Sequence, residues 1–240
     1  MDISIRNHIG GCVGVTTFDS PRSVLRDMMG MDLRTLPPDP TGIATEVSLR
    51  DRADRLRNPR VHLNIIKVGI DIWGPGDESD VDYAVHRTRL IFRQQDLEIA
   101  RVQHHEITAA QAGGFAIINS NADVWDLVGD WTVPNDGIDV FVPHQVNGFL
   151  GLAPPGGPDE NGKGSGKDGL VTMKNHADRD QIARTMAHEV GHYLGLGHRN
   201  NQRDNLMCQS DEANNSRTSV DLTDWQGGNM ANHHIVQAPC

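Results

Sequence analysis

The sequence predicts an α/β (α+β) fold in which a five-stranded sheet carries two long helices. Two observations predict it. Five short runs are rich in β-branched and apolar residues, and two longer segments repeat apolar residues at helical spacing, beginning with a strand followed by a helix.

Residues 1–60 read as an N-terminal extension or linker ahead of a domain at 61–240. They hold "RTLPPDPTG" and then "LRDRADRLRNP", a charged run that predicts one short exposed helix ending before Pro59. From Val61 the pattern changes. "VHLNIIKVGIDIW" (Val61 to Trp73) alternates and predicts a strand of a half-buried sheet. After an acidic turn, Val81, Ala84, Val85, Thr88, Leu90, Ile91 and Phe92 mark the first long helix.

"LEIARVQHH" (Leu97 to His105) and "GIDVFVP" (Gly137 to Pro143) predict the second and third strands. "NGFLGLAP" (Asn147 to Pro154) and "GLVTMKN" (Gly169 to Asn175) predict two more, and the Pro- and Gly-rich stretch between them reads as an exposed loop. The second long helix runs from about Asp178, its N-cap, to Leu194, with Ile182, Met186, Val190 and Tyr193 as its apolar stripe and Gly195 or Gly197 as its stop. A last helix is expected in "LTDWQGGNMANHH", capped by Thr223 or Asp224.

Composition narrows the function. Hydrophobic residues make up 37% of the 240, and the mean hydropathy of -0.47 describes a polar chain with no window near the roughly 20 apolar residues of a spanning helix, so membrane insertion is not expected. A formal net charge of -10 with no Lys/Arg block disfavours nucleic acid, because neutralising phosphates needs concentrated positive charge. A cationic peptide is the better electrostatic match. Asp2, Arg6 and His8 interrupt the apolar run that a signal peptide needs. Secretion or export is nonetheless the expected location, through trimming or a route that reads no such signal, with retention inside the cell as the alternative. Cys12, Cys208 and Cys240 are too few for a disulfide framework.

The chemistry lies in "AHEVGHYLGLGH" (Ala187 to His198). On a helix, positions i and i+4 share a face, so His188 and His192 offer two imidazole nitrogens to one point. Zinc accepts neutral imidazole, and a catalytic site keeps one position for water. Glu189 projects toward the side where that water belongs and can take its proton. His198 lies about 2.8 turns from His188 on a continuous helix and so on another face. A left-handed Gly195 would end the helix and bring His198 back to the metal.

"HEVGHYLGLGH" resembles the H-E-x-x-H-x-x-G-x-x-H signature of the metzincin zinc peptidases, matching at His188, Glu189, His192, Gly195 and His198. "DNLMCQS" places Met207 nine positions beyond His198, where the resemblance implies a methionine turn beneath the metal. It further implies a mixed, twisted five-stranded sheet above a small irregular C-terminal subdomain, one catalytic zinc ion, a peptide or protein substrate, and a monomer. By the same resemblance "NGFLGLAPPGG" is the edge strand and loop of the substrate cleft, with Gly148, Leu150, Gly151, Leu152 and Ala153 as substrate-binding residues. A peptide would add there as a further strand.

The wording "HEVGHYLGL" is close to that of pappalysins, yet only eight residues separate His198 from Met207. Arg199 stands where matrixins, adamalysins, astacins and serralysins carry Ser, Asp, Glu or Pro, so the branch stays open between pappalysin-like and matrixin-like. The expected function is a zinc endopeptidase. Alternatives are a non-catalytic zinc module and a delivered toxin or effector peptidase with one target.

Other candidates read as structural. His104 and His105 are adjacent on a strand and point to opposite faces, and His233 and His234 lie near the C-terminus. Calcium through Asp77, Asp80 and Asp82 is possible but unsupported, since acidic residues at a helix start complement the macrodipole. Cys12 as an inhibitory zinc ligand lacks the matrixin pro-segment wording.

Overall fold

Nine residues, Arg60–Val68, form the inner strand that the alternating run predicts, here β3. The computed structural model describes residues 3–9, 12–18, 58–154, 156–157, 168–209 and 219–239. Within the expected N-terminal extension, β1 (Ile3–Ile9) and β2 (Cys12–Phe18) pair antiparallel. The helix expected at residues 49–58 falls almost wholly outside the described residues, as does most of the loop between Pro154 and Gly169.

Beyond β3 come α1 (Asp77–Arg93), β4 (Glu98–Ile107), β5 (Ile117–Ile118), α2 (Asn121–Trp131), β6 (Ile138–Pro143), β7 (Gln145–Val146), β8 (Gly151–Leu152), β9 (Gly169–Thr172), α3 (Arg179–Tyr193) and α4 (Asp224–Ala231). The main sheet is five-stranded, in the order β4-β3-β6-β9-β8. β3 is parallel to β4 and β6, β9 is parallel to β6, and β8 alone runs antiparallel, to β9. The expected mixed sheet with an edge strand is what forms, and both long helices fall where their stripes place them.

Three expectations change. The first strand stops at Val68, because Gly69 turns left-handed at φ 75 and a 3-10 turn takes Ile70–Ile72. The edge strand is two residues rather than the whole of 147–154, since Gly148 at φ 82 leaves the extended path. The sheet is also not half-buried. Val61, Leu63 and Ile65 face a core shared with α1 and α3, while Ile66, Val68, Phe141 and Val171 face a second core built on α2.

That second core depends on α2, which the strand-and-helix reading passes over. Its signal is local. Ser120 accepts the N–H of Asp123 while the Asp123 carboxylate accepts the Ser120 N–H, a capping box. Val124, Leu127 and Val128 then form a short stripe, each fully buried. Burying such side chains contributes roughly 1.5–3 kcal/mol apiece.

α3 packs against α1 and β9. Its start is held by the Asp178 side chain, which accepts from the Asp180 N–H at 3.0 Å, and by Tyr83 of α1, whose hydroxyl donates to Asp180 at 2.5 Å. The C-terminal residues return to the start of the sheet. Gln237 pairs with Arg60, and its side chain donates to Asp136 at 2.7 Å. No helix among the described residues is long and apolar enough to cross a membrane.

Two measurements check this arrangement. Leu127→Ala is expected to cost about 2–5 kcal/mol in urea unfolding, as a cavity in a filled core does; a loss below about 0.5 kcal/mol would contradict the two-core packing. His62 lies half-buried beside Arg101 and Asp136, and the loss of hydration there, reinforced by the Arg101 charge, lowers its pKa to about 4. A depressed histidine contributes stability that is complete above its unfolded value near 6.5 and lost as pH falls toward 4, at about 1.4 kcal/mol per pH unit. Unfolding curves between pH 7 and 4.5 should therefore converge for the wild type and His62→Gln as the solution is acidified.

Candidate metal centre

His188, Glu189 and His192 lie on α3, and the chain leaves that helix through a turn its sequence dictates. Gly195 sits at φ 85. Its N–H donates to the His192 carbonyl at 2.9 Å, and that of Leu196 reaches the Gly191 carbonyl at 2.9 Å. These are the paired bonds of a Schellman motif, which closes a helix on a left-handed residue. A side chain at position 195 would meet open space, nothing nearer than 3.5 Å, so backbone conformation is what selects glycine there. Gly197 has no left-handed conformation and no crowding; the turn needs one glycine, not two.

The turn delivers His198 to the other histidines. Ring centroids are 4.6 Å apart for His188 and His192, 4.5 Å for His192 and His198, and 5.4 Å for His188 and His198. One nitrogen from each lies within 4.8 Å of the other two, and among the described residues these three form the group with metal-ligand spacing.

The protonation pattern fits a metal. His188 donates from Nδ1 to the Leu206 carbonyl at 2.7 Å, and His192 from Nδ1 to the Leu196 carbonyl at 2.7 Å. A carbonyl only accepts, so each Nδ1 carries the proton and each Nε2 is left with its lone pair. Nε2 of His192 then faces Nε2 of His198 at 2.9 Å. Burial, with the neighbouring His192, drives the His188 pKa down to about 3. Burial likewise takes His192 to about 4. Both are neutral at physiological pH, the form that zinc binds.

Met207 packs against α3 at Gly191. It is fully buried, its sulfur 2.8 Å from where a side chain on Gly191 would start. It occupies a turn closed by the Cys208 N–H on the Asn205 carbonyl at 3.1 Å, and its own carbonyl accepts the Arg199 N–H at 2.9 Å. The segment after the third histidine is thereby fastened to the turn that carries Met207. Arg199 itself stacks over Trp225, 4.6 Å from the ring centroid.

An 830 Å³ cleft runs past the histidines, lined on the sheet side by Gly148, Leu150, Gly151, Leu152 and Ala153. All five expected substrate-binding residues meet there, together with Glu189. The contact is close: a side chain on Gly151 would start 2.6 Å from the Glu189 Cγ. Burial pushes the Glu189 carboxyl up to about 8, against the opposing charge of Arg184 and a hydrogen bond from the Ala153 backbone.

Residues 58–199 match the family described as metallo-peptidase family M12B, reprolysin-like, a stretch that covers more than half of the chain and ends one residue past the third histidine. The chain belongs to the M12B reprolysin-like metallopeptidases. Membership agrees with the metzincin resemblance of the motif and, with the three-histidine group, points to a zinc ion. It also names a branch that the motif wording, poised between pappalysin-like and matrixin-like, leaves open. Among solved structures, a chain in a chaperone–substrate complex aligns at 14% identity and TM-score 0.48, over 74% of this chain and 34% of that one. This protein thus spans about a third of that chain's length. Archaemetzincin from Methanopyrus kandleri aligns at 17% identity and TM-score 0.48, over 72% of this chain and 95% of its own.

The remaining expected candidates lie elsewhere. Asp77 accepts from the Gly74 N–H at 2.8 Å and from Lys174 at 2.5 Å, Asp80 lies 4.0 Å from Arg179, and Asp82 is buried in α1. These carboxylates serve the helix start and ion pairs. Cys12 lies in β2, and its side chain falls outside the described residues. His233 donates from Nε2 to the Gly156 carbonyl at 2.8 Å. Sequence reasoning missed Arg184 and Thr185, which line the same cleft. Counting back one turn from His188 and Glu189 would have found both.

The turn gives a direct test. Gly195→Ala forces a side chain into left-handed backbone at about 1–2 kcal/mol and is expected to weaken zinc binding about tenfold or more in chelator competition. Gly197→Ala should leave the affinity within about twofold, since its conformation is open to any residue.

Proposed function

We propose that the protein is a zinc-dependent endopeptidase with Glu189 as its general base. The observation that carries this reading is the placement of Glu189 beside His188 and His192 in the lining of one cleft, bordered by the sheet edge. His188, His192 and His198 are the residues that would hold the metal. Zinc, when bound, supplies Lewis acidity that polarises a scissile carbonyl and acidifies water.

The chain's own groups do the rest. Glu189 takes the proton of the attacking water and passes it to the amine nitrogen that leaves, a role suited to a carboxyl whose pKa lies near 8 rather than 4. Leu206 and Leu196 carbonyls hold the two helical imidazoles in one tautomer and orientation. Met207 provides an apolar base beneath them. β8 ends the sheet, and among the described residues no strand pairs with its outer edge. An extended peptide laid along Gly151–Leu152 would gain main-chain hydrogen bonds across the middle of its length, which favours internal cleavage. A purely structural zinc site normally has a fourth protein ligand, and among the described residues the group here has three.

Glu189→Ala should retain zinc in chelator titration while kcat/KM on a cleaved peptide falls by about 10²–10⁴. A variant that keeps wild-type proteolysis would remove Glu189 from the mechanism.

A further inference from the structure

Two side chains on the floor of the cleft have no part in the mechanism above. Arg184 and Thr185 precede His188 and Glu189 by one helical turn, about 6 Å along the axis. Each is 3% exposed, as deep as His188 at 7% and Glu189 at 6%, and each lines the same cleft. The Thr185 hydroxyl is buried with no hydrogen-bond partner among the described residues. Such a group loses its hydration without compensation unless something else bonds to it.

Arg184 is unusual in its partners. Nε donates to the Ser219 carbonyl at 3.2 Å, and Nη2 donates to the Leu206 carbonyl at 3.1 Å and to the Cys208 carbonyl. All three acceptors are neutral. No carboxylate among the described residues is in ion-pair contact with this guanidinium; Glu189 acts on it only from beyond contact distance, although burial of a cation ordinarily demands a direct partner.

We propose that Arg184 and Thr185 form a subsite that takes a carboxylate side chain, Asp or Glu, of a substrate residue next to the bond being cleaved. The inference rests on the endopeptidase reading. One helical turn from the metal ligands is the reach of a single side chain from a peptide lying across them. The threonine hydroxyl donates to one carboxylate oxygen, and the guanidinium supplies the opposite charge and a further N–H. The net charge of -10 repels polyanions, so the preferred substrate is a neutral or basic peptide with one acidic residue at that position.

Zinc-loaded protein and a proteome-derived peptide library, followed by matched peptides bearing Glu, Gln or Leu on either side of the mapped bond, test this directly. Glu is expected to exceed its isosteric amide by about tenfold or more in kcat/KM, the usual value of a hydrogen bond to a charged group. Thr185→Val should shrink that ratio at least about threefold, and Thr185→Ser should restore it. Anisotropy with zinc-loaded Glu189→Ala protein gives the same comparison without turnover, and the Glu peptide should bind more tightly than the Gln peptide. Cleavage with equal handling of Glu and Gln on both sides would overturn the subsite while leaving the peptidase intact. No cleavage of any peptide would overturn the peptidase reading, and the subsite with it. The wild-type ratio decides even if a Thr185 variant does not fold.

Discussion

The backbone carbonyl of Leu206 is the point on which the site depends. It accepts from His188 Nδ1 and from Arg184 Nη2, both on α3. Its own residue is held from the other side, the Leu206 N–H donating to the Asp221 carbonyl at 2.8 Å. One oxygen thus fixes the tautomer of His188, serves a buried guanidinium and registers the turn that carries Met207 against the helix. A displaced Leu206 would strip the His188 imidazole of its Nδ1 acceptor and a buried cation of one of its three carbonyl partners at once, and buried polar groups stripped of partners are among the costlier faults in a fold.

The same turn is braced from beyond. Asn205 and Gln226 exchange side-chain amide bonds at 2.8 and 3.0 Å, and the capping box of α4 begins with Thr223. Among the described residues the irregular C-terminal part joins such polar networks to a few apolar contacts, with Leu206, Met207, Leu222 and Met230 buried in the main core and Val220, Ile235 and Val236 packed against it. A region built this way tolerates little loss of individual hydrogen bonds, since each is a large share of what orders it.

Legibility followed the physical origin of each feature. The strands β3, β4, β6 and β9 and the helices α1 and α3 were readable because period and burial coincide in them. The ligands were readable because a helix fixes His188 and His192 on one face and because Gly195 is the residue a left-handed turn requires. α2 escaped because its eleven residues carry a short stripe whose importance appears only when a sheet needs a second face covered. Arg184 and Thr185 escaped for a different reason: a charged or hydroxylated residue on a helix reads as solvent-facing until packing shows it buried. The extent of β8 depended on backbone geometry at Gly148, which no periodicity reports.

The pairing of Arg60 with Gln237, supported by the Arg60 guanidinium on the Ala238 carbonyl at 2.8 Å, closes residues 58–239 into a ring. Its joint lies at the beginning of β3, whereas the cleft is lined by Val146 and Met173, just past the far ends of the parallel strands β6 and β9. A nine-residue strand separates the two places by roughly 30 Å. The joint and the cleft therefore sit at opposite ends of β3, so the strand that fixes the sheet register also sets the distance between the place where Arg60 and Gln237 meet and the place where the histidines converge.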